Sequence, residues 1–169
     1  LTFHNLPQPV ISQVQGVAMA AGCQLVASCD LAIAENNARF STPGVNIGLF
    51  CSTPMVPLSR IIGRRRALDM LLTGRFISAQ EAERFGLVNK VVKKDKLAKQ
   101  TENWAMKLCK FSRYTLELGK KSFYEQIDKD EPSAYRYAKE VIAKNCLSED
   151  AQEGFEAFLE KRKPKWKDR

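Results

Sequence analysis

Residues 10–28 constrain this chain most. Val10-Ile11-Ser12-Gln13-Val14 is a β-branched run behind Pro7 and Pro9, the composition of a strand whose entry is set by proline. Gly16 follows, then the small-residue cluster Ala18-Met19-Ala20-Ala21-Gly22, and residues 23–28 read as a short buried helix. A turn of small residues between strand and helix lets backbone amides point at a ligand, and the helix dipole adds attraction for negative charge. The same residues equally serve close strand-to-helix packing.

The alternation continues. Leu31-Ala32-Ile33-Ala34 and Arg39-Phe40-Ser41 read as short strands around an Asn36-Asn37 turn, which indicates α/β architecture. From about residue 53 helices take over, with Gly63 separating two of them and Gly74 as a C-cap. Ser78-Ala79-Gln80-Glu81 is a capping box, and Gly86 ends the helix it starts. Residues 87–92 read as a strand. Beyond Lys93-Lys94 the pattern is helical over 95–110, 113–127, 131–147 and 149–161, so the expected division is a core over 1–93 and a helical region over 94–169. A basic tail, Lys161-Arg162-Lys163-Pro164-Lys165-Trp166-Lys167, ends the chain.

Composition narrows the function classes. With 44% hydrophobic residues in 169, disorder is not expected. Five cysteines without a CxxC pair and a single histidine argue against a disulfide framework and a zinc site, and suit reduced thiols in an intracellular compartment. The apolar stretch over 17–34 is broken by Gln24 and Asp30, short of the roughly 18 uninterrupted residues of a membrane span. The first residues show no basic leader before an apolar block, so no targeting segment is expected in them. The net charge of +8 lies in residues 61–169, because Arg39 and Arg60 balance Asp30 and Glu35. Such basic character attracts polyanions, nucleotide phosphates included, but it also describes a lysine-rich solvated helical surface.

Read together, several segments carry a resemblance. Gln15-Gly16-Val17-Ala18-Met19-Ala20-Ala21-Gly22-Cys23-Gln24-Leu25 resembles the oxyanion-binding turn of the crotonase (enoyl-CoA hydratase/isomerase) superfamily. Phe40-Ser41-Thr42-Pro43-Gly44, Ile47-Gly48-Leu49-Phe50, Leu72-Thr73-Gly74-Arg75, Phe85-Gly86-Leu87-Val88 and Gln152-Glu153-Gly154-Phe155 follow in the family's order. The resemblance implies the C-terminal part of a ββα spiral followed by helices that build a trimer, acyl-CoA thioesters as ligands, a role in lipid metabolism, and a mitochondrial setting. No metal or resident cofactor is implied.

By that resemblance the Ala21 amide is an oxyanion donor, and its companion donor belongs to a strand and loop expected before residue 1. Losing one oxyanion donor typically costs about 100- to 1,000-fold in turnover. Gln24 and Gly44 stand where hydratases carry the two glutamates that position water and transfer its proton. An amide can hold water but cannot take its proton at neutral pH, so little hydratase activity is expected. Hydrolase and dehalogenase branches place an acid where this chain has Ser52. A nucleophile at Cys51, Ser52 or Thr53 lacks a base, since His4 sits in the proline-flanked N-terminal segment; a buried thiol and a helix N-cap are the simpler readings. Asp30 reads as structural, bonding backbone near a strand start, and His4 as a surface residue.

Phe158 and Lys161 match an aromatic and a lysine that approach the nucleotide end of CoA on a neighbouring subunit, and their spacing suits one helix face. An apolar helix contact beside a snorkelling lysine is the plain alternative. Two further functions stay open: an isomerase- or decarboxylase-type reaction using the oxyanion turn, and a non-enzymatic subunit or RNA-binding module using the basic half. The absence of an RNP-like, KH or zinc-finger pattern argues against nucleic acid.

Overall fold

The structure, a computed structural model, describes residues 2–169. In chain order its elements are α1 (Thr2–Asn5), β1 (Ile11–Val14), β2 (Val17–Met19), α2 (Ala21–Ser28), β3 (Leu31–Glu35) and β4 (Arg39–Ser41). They continue with α3 (Ser52–Ile62), α4 (Arg64–Thr73), β5 (Ile77–Ser78), α5 (Ala79–Phe85), β6 (Lys90–Val92) and α6 (Leu97–Leu108), then α7 (Arg113–Gln126), α8 (Glu131–Cys146) and α9 (Glu149–Leu159). The chain divides into two compact units, Val10–Ala105 and Met106–Arg169 joined by residues 2–9.

The first unit repeats a strand-corner-strand step. β1 pairs in parallel with β3, and β3 with β6; β2 pairs in parallel with β4, and β4 antiparallel with β5. The first two steps, β1-β2 and β3-β4, each place one strand in each sheet before helices return the chain, the pattern of a ββα spiral. The corner between β1 and β2 is Gly16, at φ 73°, a conformation that disfavours any side chain. Its N–H donates to Oε1 of the buried Glu35 (2.9 Å), and its carbonyl accepts from the Arg39 N–H (3.0 Å), so successive corners are tied together. Val10 N–H donates to Asp30 Oδ2 at 2.6 Å, the structural role expected of that aspartate.

Helices cover the sheets because their apolar positions recur at helical spacing. α3 buries Pro54, Leu58 and Ile62, and α4 buries Ala67, Met70 and Leu71. Leu58, Ile62, Ala67, Met70 and Leu71 join Phe40, Ile77 and Val88 in one core, each large side chain contributing about 1.5–3 kcal/mol on burial. Ser78 and Glu81 form the expected capping box, with Ser78 Oγ accepting from Glu81 N–H (3.1 Å) and Glu81 Oε2 accepting from Ser78 N–H (3.0 Å).

Four readings change. Residues 17–19 and 77–78 are strands too short and too poor in alternation to show in the sequence. The strand expected over 87–92 starts only at Lys90, because the Leu87 and Val88 amides both bond the Ala82 carbonyl at the end of α5. A helical turn, α1, precedes β1. The last helix ends at Leu159, because Lys161 takes a left-handed φ of 55°; Phe158 and Lys161 therefore do not share a helix face.

α7, α8 and α9 are each capped by a side chain: Ser112, Asp130 and Ser148 accept from the amides of Thr115, Ser133 and Ala151. His4 is stacked on Tyr124 (centroids 3.8 Å apart, planes 10° apart), and Lys120 Nζ donates to the carbonyls of Phe3 and Gln8, so residues 2–8 are bound to α7. His4 is thus packed within the helical unit, not simply a surface residue.

Candidate functional site

The site begins where β2 and β4 end together. Their register sets Met19 beside Ser41, and the Ala20 N–H donates to the Ser41 carbonyl at 3.0 Å. From this point β2 leads into α2 and β4 into a 3-10 turn, Pro43–Ile47. Ala20, Ala21, Gln24 and Gly44 therefore all lie just beyond the same end of the second sheet.

Ala20 adopts φ 46°, ψ −112°, a setting that a side chain disfavours and that costs about 1–3 kcal/mol. Its strain aims the start of α2. The first intrahelical bond is Gln24 N–H to the Ala20 carbonyl (3.0 Å), and no side chain caps the helix. Among the described residues nothing accepts from the Ala21 N–H, and Ala21 is exposed. An amide at the positive end of a helix can stabilise an oxygen that gains negative charge. Gln24, three residues on, is half-buried on the same side of α2.

Gly44 is enclosed by backbone. A Cβ there would lie 2.8 Å from the Leu49 carbonyl oxygen and 3.0 Å from Cys51 Sγ, while Leu49 N–H donates to the Gly44 carbonyl at 3.0 Å. The turn is also seated from below: a Cβ on Gly74, whose φ is 63°, would lie 2.9 Å from Asn46 Oδ1 and 3.2 Å from Pro43 Cα. Ser41 Oγ donates to the Gly74 carbonyl (2.9 Å), and Arg75 joins the adjoining elements through Asp69 (2.7 Å) and Glu81 (3.0 Å).

Two thiols stand behind the turn. Burial pushes Cys23 up to about 12, with Cys51 adding to the rise, so Cys23 stays a neutral thiol at physiological pH. Cys51 is buried and occupies the N-cap of α3 without a side-chain cap bond; Ser52 is the first residue of that helix, its Oγ donating to the Phe50 carbonyl. Among the described residues no group of three metal-ligating side chains converges, and no helix is long and apolar enough to cross a membrane.

At the end of α9, Phe158 is 83% exposed and Lys161 is exposed. Sequence reasoning passed over what holds them. Asp150, buried, accepts from Ser112 Oγ, Lys167 N–H and Asp168 N–H, while Glu153 accepts from Arg162 (2.6 and 3.0 Å) and from Lys165 N–H (2.7 Å). Trp166 Nε1 donates to the Lys110 carbonyl, and its ring lies against Gly154. The basic tail is therefore a bound strap; only the alternation of its lysines with Arg162, Pro164 and Trp166 hinted at this.

Known proteins share this fold. Residues 1–169 match the family described as enoyl-CoA hydratase/isomerase. The mitochondrial enoyl-CoA hydratase domain-containing protein 3 of Xenopus laevis is 51% identical over 164 residues, 97% of this chain and 56% of that protein; the Mus musculus protein is 50% identical over 166 residues, 98% and 55%. The chain thus spans little more than half the length of these relatives. The crystal structure of human enoyl Coenzyme A hydratase domain-containing protein 3 superposes with a TM-score of 0.95 at 51% identity, covering 97% of this chain and 65% of that one. An enoyl-CoA hydratase structure from Mycobacterium smegmatis gives a TM-score of 0.95 at 50% identity, covering 97% and 64%. With the ordered motifs, the spiral and these matches in agreement, the chain belongs to the enoyl-CoA hydratase/isomerase family, the crotonase superfamily.

Proposed function

We propose that this chain carries an acyl-CoA-binding half-site of a crotonase-like protein of lipid metabolism that does not hydrate enoyl-CoA. The Ala21 amide carries the reading: it is exposed at the start of α2, has no acceptor among the described residues, and is aimed by a strained Ala20. A thioester carbonyl is the acceptor such a donor suits. Exposed Met19, Leu25, Ile47 and Leu49, on the segments flanking Ala21 and Gly44, offer apolar surface for an acyl chain. Phe158 and Lys161 take the nucleotide end of a CoA bound to a neighbouring copy in a homotrimer. The mitochondrial relatives support a mitochondrial setting.

Absence of hydratase chemistry rests on Gln24 and Gly44, neither of which can exchange a proton with water or with the α-carbon. The test is calorimetric titration with a non-hydrolysable acyl-CoA analogue against free CoA, alongside a hydration assay on a short enoyl-CoA. Tighter binding of the acylated ligand with no hydration is the expected result. Efficient hydration that persists in Gln24→Ala overturns the reading, and turnover of another acyl-CoA without hydration would move it to isomerase- or decarboxylase-type chemistry.

A further inference from the structure

The end of α9 is closed by a Schellman motif: Arg162 N–H bonds the Ala157 carbonyl (2.9 Å), and Lys161 N–H bonds the Phe158 carbonyl (3.2 Å). The residue at the left-handed position is Lys161, φ 55°, where glycine would close the helix with less strain. Among the described residues no carboxylate pairs with its ammonium group, and the neighbouring Phe158 ring is almost wholly exposed. A strained, exposed lysine with no partner in its own unit is available to a ligand outside that unit. An exposed ammonium and an open aromatic ring at the same helix end suit a phosphate joined to a flat base.

What keeps the lysine in this setting is one residue along. Arg162 is gripped by both oxygens of Glu153, whose side chain is 15% exposed and which also takes the Lys165 N–H. Glu153 thus fixes the backbone on the far side of Lys161, while α9 fixes the near side. We propose that Glu153 is a positioning residue for Lys161, holding it through the Arg162 strap in the left-handed setting from which it meets a nucleotide 3′-phosphate. This rests on reading Phe158 and Lys161 as contacts to the nucleotide end of CoA.

The experiment compares the affinities of CoA, 3′-dephospho-CoA and pantetheine for the full chain and its variants, with melting temperature measured on each. The intact chain prefers CoA to the dephosphorylated form, and Lys161→Ala removes that preference. Glu153→Gln reduces it by about three- to tenfold, the scale of losing one preorganised charge-assisted contact, and leaves pantetheine affinity unchanged. Lys161→Gly melts at a higher temperature yet loses the preference, which a purely structural residue would not do. Arg162→Lys, keeping charge but not the two-point grip, falls between wild type and Glu153→Gln and serves if the latter does not fold. Full preference in Glu153→Gln or Arg162→Lys, with loss in Lys161→Ala, overturns the positioning role alone. No preference in the intact chain, or none lost in Lys161→Ala, overturns the nucleotide-end reading and the positioning role with it.

Discussion

Ala20 donates its amide to the Ser41 carbonyl at 3.0 Å, and that bond joins the strained turn before α2 to the strand that leads to Gly44. Because φ at Ala20 is 46°, removing its Cβ relieves strain that glycine does not feel. Ala20→Gly is expected to stabilise the chain by about 1 kcal/mol, the difference between a strain of roughly 1–3 kcal/mol and the extra unfolded-state entropy of glycine. Chemical denaturation measures it. A lower midpoint would show that the turn is not strained in solution.

On the proposed reading of Gln24 and Gly44 as the positions of the two acids, placing glutamates there is not expected to produce a hydratase. Gln24→Glu is tolerated, since Gln24 is half-buried and makes no side-chain hydrogen bond among the described residues. Gly44→Glu meets the Leu49 carbonyl at 2.8 Å and Cys51 Sγ at 3.0 Å, and the turn must open to accept it. The expected cost is about 2 kcal/mol or more, the scale of overpacking a tight site. The double variant is expected to melt lower than Gln24→Glu and to show no hydration of a short enoyl-CoA. Hydration by the double variant at unchanged stability would refute this account of the turn.

Gly74 meets two demands at once, a positive φ and contact with Pro43 and Asn46 closer than a methyl group allows. Gly74→Ala is expected to cost about 2–3 kcal/mol, more than the positive φ alone, because the Pro43–Ile47 turn must shift with it. Gly48 is the control: its φ is 75° and its ψ 13°, the same left-handed setting, but a Cβ there meets nothing within 4 Å, so Gly48→Ala is expected to cost about 1 kcal/mol. Equal losses in the two variants would remove the argument from contact.

Much of this was legible in the sequence where one residue's chemistry determines one bond. Asp30 near a strand start, Ser78 with Glu81, and the glycines at 63, 74 and 86 all act as their residue types require. β2 and β5 were not legible because they are three and two residues long, and their pairing with β4 is a long-range fact. The site divides in the same way. Small residues at 16–22 mark a tight turn between strand and helix, but the strain at Ala20 and the enclosure of Gly44 depend on partners such as Ser41 and Leu49. The strap shows in the sequence only as a basic tail because its anchors, Asp150 and Glu153, lie on α9, and nothing local points from lysine-rich sequence to a buried aspartate.

Acid is expected to release that strap. Arg162, and after it the Lys165 amide, hold the Glu153 carboxyl down at about 2, below the ordinary 4.5. Asp150 also lies below its usual range: burial pushes it up, but the Ser112 hydroxyl and the amides of Lys167, Asp168 and Arg169 outweigh that. A carboxyl depressed in the folded state contributes its stability above the unfolded value and loses it as pH falls through the folded one. For Glu153 the window runs from 4.5 down to about 2. Trp166, hydrogen-bonded to the Lys110 carbonyl and packed on Gly154, reports the release by fluorescence in a Trp104→Phe background. The expected result is a shift to a solvent-like spectrum across that window, with Glu153→Gln already part-way shifted at neutral pH. A Trp166 spectrum unchanged across that window would mean that Glu153 does not hold the strap.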